Sequence, residues 1–104
     1  MKALRKAVIS GTGISLPDKV VTNFDLEKIV ETSDEWIFTR TGIKERRQIP
    51  DGQTLLELSI PACRQAIENA GLQPEDIDLI VYATFTPDYQ VPATACLLQD
   101  KLGC

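Results

Sequence analysis

The 104-residue sequence contains no histidine. That absence excludes Ser-His and Cys-His nucleophile pairs and histidine-ligated metals from these residues. Any chemistry they perform alone runs without the side chain that titrates nearest neutral pH. Cysteine is scarce: Cys63, Cys96 and Cys104 are odd in number and form no CxxC. They make a poor disulfide framework and a poor zinc site, so no metal is expected, and the thiols read as small buried residues in a reducing compartment. Long apolar runs are missing too. The basic N-terminus Met1–Gly11 lacks the apolar stretch of a secretory signal, and nothing approaches transmembrane length, so a cytoplasmic chain without a membrane partner is expected. Positive charge is also short, with eleven Lys and Arg against fifteen Asp and Glu, whereas a nucleic-acid binder is usually basic; no nucleic-acid partner is expected. What remains, 43% hydrophobic and 25% charged residues, is ordinary globular composition, long enough for at most one ordinary domain.

Ala7 to Thr12 reads as a short apolar strand ending in Gly11-Thr12-Gly13. A dinucleotide fingerprint would need a third glycine where Leu16 stands and a helix where Pro17 follows, so the glycines are assigned to a turn. Asn23 is the expected N-cap of a helix Phe24 to Val30. Thr32 and Glu35 have capping-box spacing for a helix running to about Arg40, closed by Gly42. Lys44 to Ile49 reads as extended and Pro50-Asp51-Gly52 as a turn. Thr54 and Glu57 form another capping box, and Leu55, Leu58, Ala62, Ala66 and Ala70 recur at helical spacing up to Gly71. Pro61 implies either a kink or a start near Ser59. The unalternated run Leu79-Ile80-Val81-Tyr82-Ala83 predicts a strand over Ile77 to Thr84 buried on both faces, as in a parallel sheet. After a loop from Phe85 to Gln90, a helix is expected from about Pro92 to Leu102. The order predicts an α/β fold with a right-handed crossover and only two confident core strands, which reads as the first part of a larger domain.

One cluster stands out. Trp36 and Arg40 are four residues apart and so share a helix face. Residues 40–47 then hold Arg40, Lys44, Arg46 and Arg47 against one acid, Glu45, in an acidic chain. Guanidinium and ammonium groups suit phosphate, and an indole suits a planar base. Three readings stay open on spacing alone: a solvated basic face stapled by Trp36, a nucleotide-bearing small molecule, or a small RNA surface. Asp34 and Glu35 are expected to stabilise a helix N-terminus rather than to act in acid–base catalysis, and Asp76 and Asp78 to be solvated near a turn.

Thr32-Ser33-Asp34-Glu35-Trp36, Thr39-Arg40-Thr41-Gly42-Ile43 and Glu45-Arg46 closely resemble the N-terminal signature of the β-ketoacyl-acyl-carrier-protein synthase III family. Gly11-Thr12-Gly13 with Leu16-Pro17, Thr22-Asn23, Asp25-Leu26 and Pro92-Ala93-Thr94-Ala95-Cys96 match as well, so the resemblance spans essentially the whole sequence. It implies an α/β thiolase-like fold, of which this chain is an incomplete N-terminal part, within a homodimer. It implies decarboxylative Claisen condensation of an acyl-CoA primer with malonyl-acyl-carrier protein, with no cofactor beyond these substrates. Carried over by motif, Trp36 would stack on the adenine of coenzyme A, and Thr32 and Arg40 would contact its nucleotide and phosphate portion.

The family's acyl-accepting Cys and its oxyanion-stabilising His and Asn have no counterpart among these residues. Cys96 matches a noncatalytic family cysteine and Cys104 falls too early, so the expected catalytic set here is empty. Val91 matches a position that in relatives often holds Phe and reaches the partner subunit's acyl pocket; the smaller side chain would admit longer or branched primers. A related secondary-metabolite or long-chain condensing enzyme, or a non-catalytic coenzyme A-binding module, are the competing functions.

Overall fold

In the computed structural model, which describes residues 4–104, the β-branched run Val20–Thr22 forms strand β1. It pairs antiparallel with strand β2, Glu45–Arg47, in the register Val20 to Arg47, Val21 to Arg46 and Thr22 to Glu45. Thr22 ends β1 and caps helix α1, Asn23–Glu27: its hydroxyl accepts from the Asp25 amide at 3.2 Å while the Asp25 carboxylate takes the Thr22 amide at 3.0 Å. The cap is therefore Thr22 and not Asn23, because the reciprocal box needs an acid three residues on and Asp25 supplies it. The helix is also shorter than expected, finishing in a turn in which the Ile29 and Val30 amides reach the Leu26 carbonyl at 3.0 Å.

Helix α2, Asp34–Thr41, starts one residue later than the Thr32 box predicts. Ser33 is its cap, with the Trp36 amide donating to Ser33 Oγ at 3.1 Å. Asp34 and Glu35 lie in the first turn, where the helix dipole favours acids. Gly42 closes the helix at φ 70°, a left-handed conformation that suits glycine. These elements make up one compact unit, Leu16–Gln53.

The second unit joins the N-terminal residues up to Ser15 with Thr54–Cys104. Helix α3, Leu55–Asn69, keeps the expected Thr54–Glu57 capping box and runs unbroken through Pro61. Pro61 leaves the Glu57 carbonyl without a helical donor, and both residues are exposed. Asp88, from the later loop, receives the Leu55 and Leu56 amides, both at 2.9 Å. The Glu57 amide donates to Thr54 Oγ1 and the Leu58 amide to the Thr54 carbonyl, so all four leading amides of α3 have acceptors.

The alanine stripe of α3 receives the chain at Gly11–Gly13. A Cβ at Gly11 would collide with the Ala66 carbonyl oxygen, and one at Gly13 with that of Ala62. The Asn69 amide side chain donates to the Thr12 carbonyl at 2.8 Å, and the Ile14 amide to Gln65 Oε1 at 2.8 Å. The paired glycines thus serve close backbone approach to a helix. Helix α4, Thr94–Leu102, packs on α3 and buries Leu98. It begins two residues after Pro92, capped by the Ala93 backbone with no side-chain hydrogen bond, and Gly103 closes it at φ 81°.

The two expected core strands are not strands among the described residues. Neither Ala7 to Thr12 nor Ile77 to Thr84 joins a hydrogen-bonded ladder. Over residues 79–83 exposed and half-buried positions alternate, with Leu79 and Val81 outward and Ile80 and Tyr82 inward, where Tyr82 shares a 2.6 Å hydrogen bond with Ser59. The period is that of a strand with one covered face, not two. A parallel strand needs neighbours to satisfy its backbone, and the only ladder among the described residues is β1 with β2. A 3₁₀ turn, Pro74–Asp76, leads into this segment.

Candidate functional site

Helix α2 presents the Trp36 indole to solvent with 55% of its surface exposed. Four residues on, the Arg40 guanidinium carbon sits 4.9 Å from the centre of the indole. A cation over an exposed indole contributes about 0.5–1 kcal/mol, enough to bias the Arg40 rotamer toward the ring. Two surface clefts flank Trp36. One, about 380 Å³, is lined by Ser33, Glu35, Trp36, Thr39 and Arg40. The other, about 230 Å³, is lined by Glu31, Thr32, Ser33 and Trp36. Thr32 shares one cleft with Trp36 and Arg40 shares the other, so the three residues singled out from the sequence are linked through the indole.

The basic cluster divides by role. Arg46 turns inward, donating to the Val21 carbonyl at 3.2 Å and to Asn23 Oδ1 at 2.7 Å. Arg47 donates to the Pro17 carbonyl at 3.0 Å. These two guanidiniums fasten β2. Lys44 lies 5.2 Å from the centre of the Phe38 ring, and Arg40 lies over Trp36. What faces outward is a pair of cations resting on aromatic rings, an arrangement able to pair with phosphate while a planar base stacks beside it.

Two residues that sequence reasoning placed differently hold this helix. Ser33, not Thr32, caps it, which leaves Thr32 half-buried on the wall of the second cleft. Asn23 is fully buried beneath it. From the sequence it reads as the N-cap of a helix and, with Thr22, as part of the family resemblance. Asp25 itself is lowered from 3.8 to about 2, chiefly by the Thr22 hydroxyl, then by the Thr22 amide and Lys28.

Val91 belongs to the other unit, on the loop before α4, with 86% of its surface exposed. In that unit a cleft of about 230 Å³ lies between Ile77–Ile80 and α4 and is lined by Cys96 and Cys104. Burial pushes the neighbouring Cys63 thiol up, with Cys104 adding to the effect, which keeps Cys63 protonated and unreactive. Among the described residues no three His, Cys, Asp or Glu side chains converge as a metal site would require. No helix among them is long and apolar enough to cross a membrane.

No family model matches the chain. Curated relatives do: it is 57% identical over 97 residues to the β-ketoacyl-acyl-carrier-protein synthase III of Caldanaerobacter subterraneus subsp. tengcongensis, covering 93% of this chain and 29% of the relative. Against the crystal structure of 3-oxoacyl-acyl-carrier-protein synthase III from Aquifex aeolicus the TM-score is 0.79 at 56% identity, covering 91% of this chain and 30% of that one. The chain corresponds to the N-terminal portion of the β-ketoacyl-acyl-carrier-protein synthase III family. It spans about 30% of the length of the relatives it matches. The priming β-ketosynthase of the R1128 polyketide pathway shares the fold as well, at TM-score 0.80 and 32% identity over 97% of this chain. The α/β architecture is accordingly a part of the thiolase-like fold.

Proposed function

We propose that this segment is the coenzyme A-facing part of an acyltransferase, a β-ketoacyl-acyl-carrier-protein synthase III. The reaction is decarboxylative Claisen condensation of an acyl-CoA primer with malonyl-acyl-carrier protein, opening type II fatty-acid synthesis. The observation that carries the reading is the exposed Trp36 ring with Arg40 4.9 Å from its centre and Thr32 on the wall of an adjoining cleft. In this reading adenine stacks on Trp36. Arg40 supplies charge to the phosphates, and Thr32 offers a hydroxyl to the nucleotide from the second cleft. The segment binds and orients the thioester carrier. The thiol that accepts the acyl group and the His and Asn that stabilise the oxyanion lie on residues outside it. Acyl-CoA is a substrate, and the reaction calls for no separate cofactor. A homodimer in the cytoplasm goes with this reading.

The test is Trp36→Ala in the full-length synthase carrying this segment. A stacked base is worth about 1–3 kcal/mol, so the KM for the acyl-CoA primer should rise about 5- to 150-fold. An unchanged KM overturns the assignment. Val91 is assigned to the acyl pocket across the dimer; Val91→Phe should shift the primer profile toward short chains, and an unchanged profile removes that role. The likeness to the R1128 priming β-ketosynthase favours a second reading, in which the same segment serves a secondary-metabolite condensing enzyme. Primer and acceptor preferences of the full-length protein separate the two.

A further inference from the structure

We infer that Asn23 is a positioning residue for the Trp36–Arg40 platform, an inference that rests on the coenzyme A reading above. Asn23 is 0% exposed, on a helix of five residues whose other side chains reach the surface in part. Its side-chain amide nitrogen donates to Asp34 Oδ1 at 2.8 Å and to the Ile43 carbonyl at 2.7 Å. Its Oδ1 accepts from Arg46 Nη2 at 2.7 Å, and its own backbone amide donates to the Lys44 carbonyl at 3.1 Å. Asp34 is the first residue of α2, and Ile43 follows Gly42, which closes the helix. One buried amide therefore grips α2 at both ends, and Arg46 ties that amide to β2. Trp36 and Arg40 lie between the two anchors.

Packing alone does little to fix α2. It has eight residues, too few to be stable in isolation, and Ile37 is the one residue of the helix that is buried. Glu27 Oε1 takes the Asp34 amide, which adds a third hold at the same end. The direction in which the indole points thus follows from a polar hub with its donors and acceptor used, and such hubs rigidify only when complete. Asn23 touches no part of the clefts beside Trp36, whose walls are residues 31–40. Its effect on binding passes through α2.

The experiment compares acyl-CoA with the matching acyl-pantetheine, which keeps the thioester and lacks the nucleotide, as primers for the full-length synthase. Wild type, Asn23→Ala, Arg46→Lys and Trp36→Ala are assayed for kcat/KM on both. The preference for acyl-CoA over acyl-pantetheine should fall at least about fivefold in Asn23→Ala, the lower end of what one stacked base contributes. Arg46→Lys keeps the charge, reaches one acceptor in place of two, and should lower the same preference by less; it carries the test if Asn23→Ala does not fold. If Trp36→Ala loses the preference and the Asn23 and Arg46 variants keep it, the positioning role is overturned while the platform stands. If Asn23→Ala and Arg46→Lys depress both primers equally, Asn23 merely supports the fold and the inference is overturned. If Trp36→Ala itself keeps the preference, the coenzyme A reading beneath it fails.

Discussion

Trp36 and Asn23 show how differently single residues announce themselves. The four-residue step from Trp36 to Arg40 is a local relation, and the structure keeps it as a 4.9 Å cation–ring contact. Asn23 has partners at Asp34, Ile43 and Arg46, far along the chain, so a reading of neighbours could see only a cap. The same limit explains Arg46 and Arg47, which read as part of a basic surface and instead hold backbone carbonyls. Thr32 and Ser33 are both able to cap; the local Glu35 spacing favours Thr32, and the structure uses Ser33. Asp25 yields a pH prediction. Its carboxyl sits at about 2 in the folded state against an ordinary 3.8, so the stability it adds is complete above pH 3.8 and is lost as pH falls toward about 2. In the full-length synthase, the difference in urea midpoint between wild type and Asp25→Asn should be constant at neutral pH and close across that window. A difference that stays constant down to pH 2 would contradict the Thr22–Asp25 box.

At the scale of elements, the helices are legible, and of the strands β2 is, since Glu45–Arg47 falls inside the stretch Lys44 to Ile49 that reads as extended. Helix α3 carries its own instructions in the Thr54–Glu57 box and the Leu55 to Ala70 periodicity, and Pro61 does not interrupt it. Strand β1 is not legible, because three residues before a cap leave no period to read. The apolar run at residues 79–83 was legible as extended chain, but burial on both faces depends on neighbours the run cannot specify. Asp88 adds what α3 lacks locally, an acceptor for the Leu55 and Leu56 amides. Asp88→Ala in the full-length synthase should lower stability by about 1 kcal/mol, the usual cost of a lost cap, read as a shift in urea midpoint. No shift would mean that water replaces the carboxylate without cost.

For the whole molecule the deciding quantity is unburied apolar surface. The chain leaves 8666 Å² accessible, where a self-sufficient globule of 11.5 kDa leaves about 5,800 Å². Val8, Ile9, Leu79, Val81, Phe85 and Val91 are each more than three-quarters exposed. This exposed apolar surface predicts that residues 1–104 alone give no cooperative, monomeric melt; a sharp two-state transition at micromolar concentration would contradict this. The central claim, that the exposed indole of α2 receives the nucleotide of coenzyme A, is tested most directly by calorimetric binding of coenzyme A to the full-length synthase and its Trp36→Ala variant. The account predicts a Kd weakened about 5- to 150-fold in the variant. Equal Kd values would contradict it.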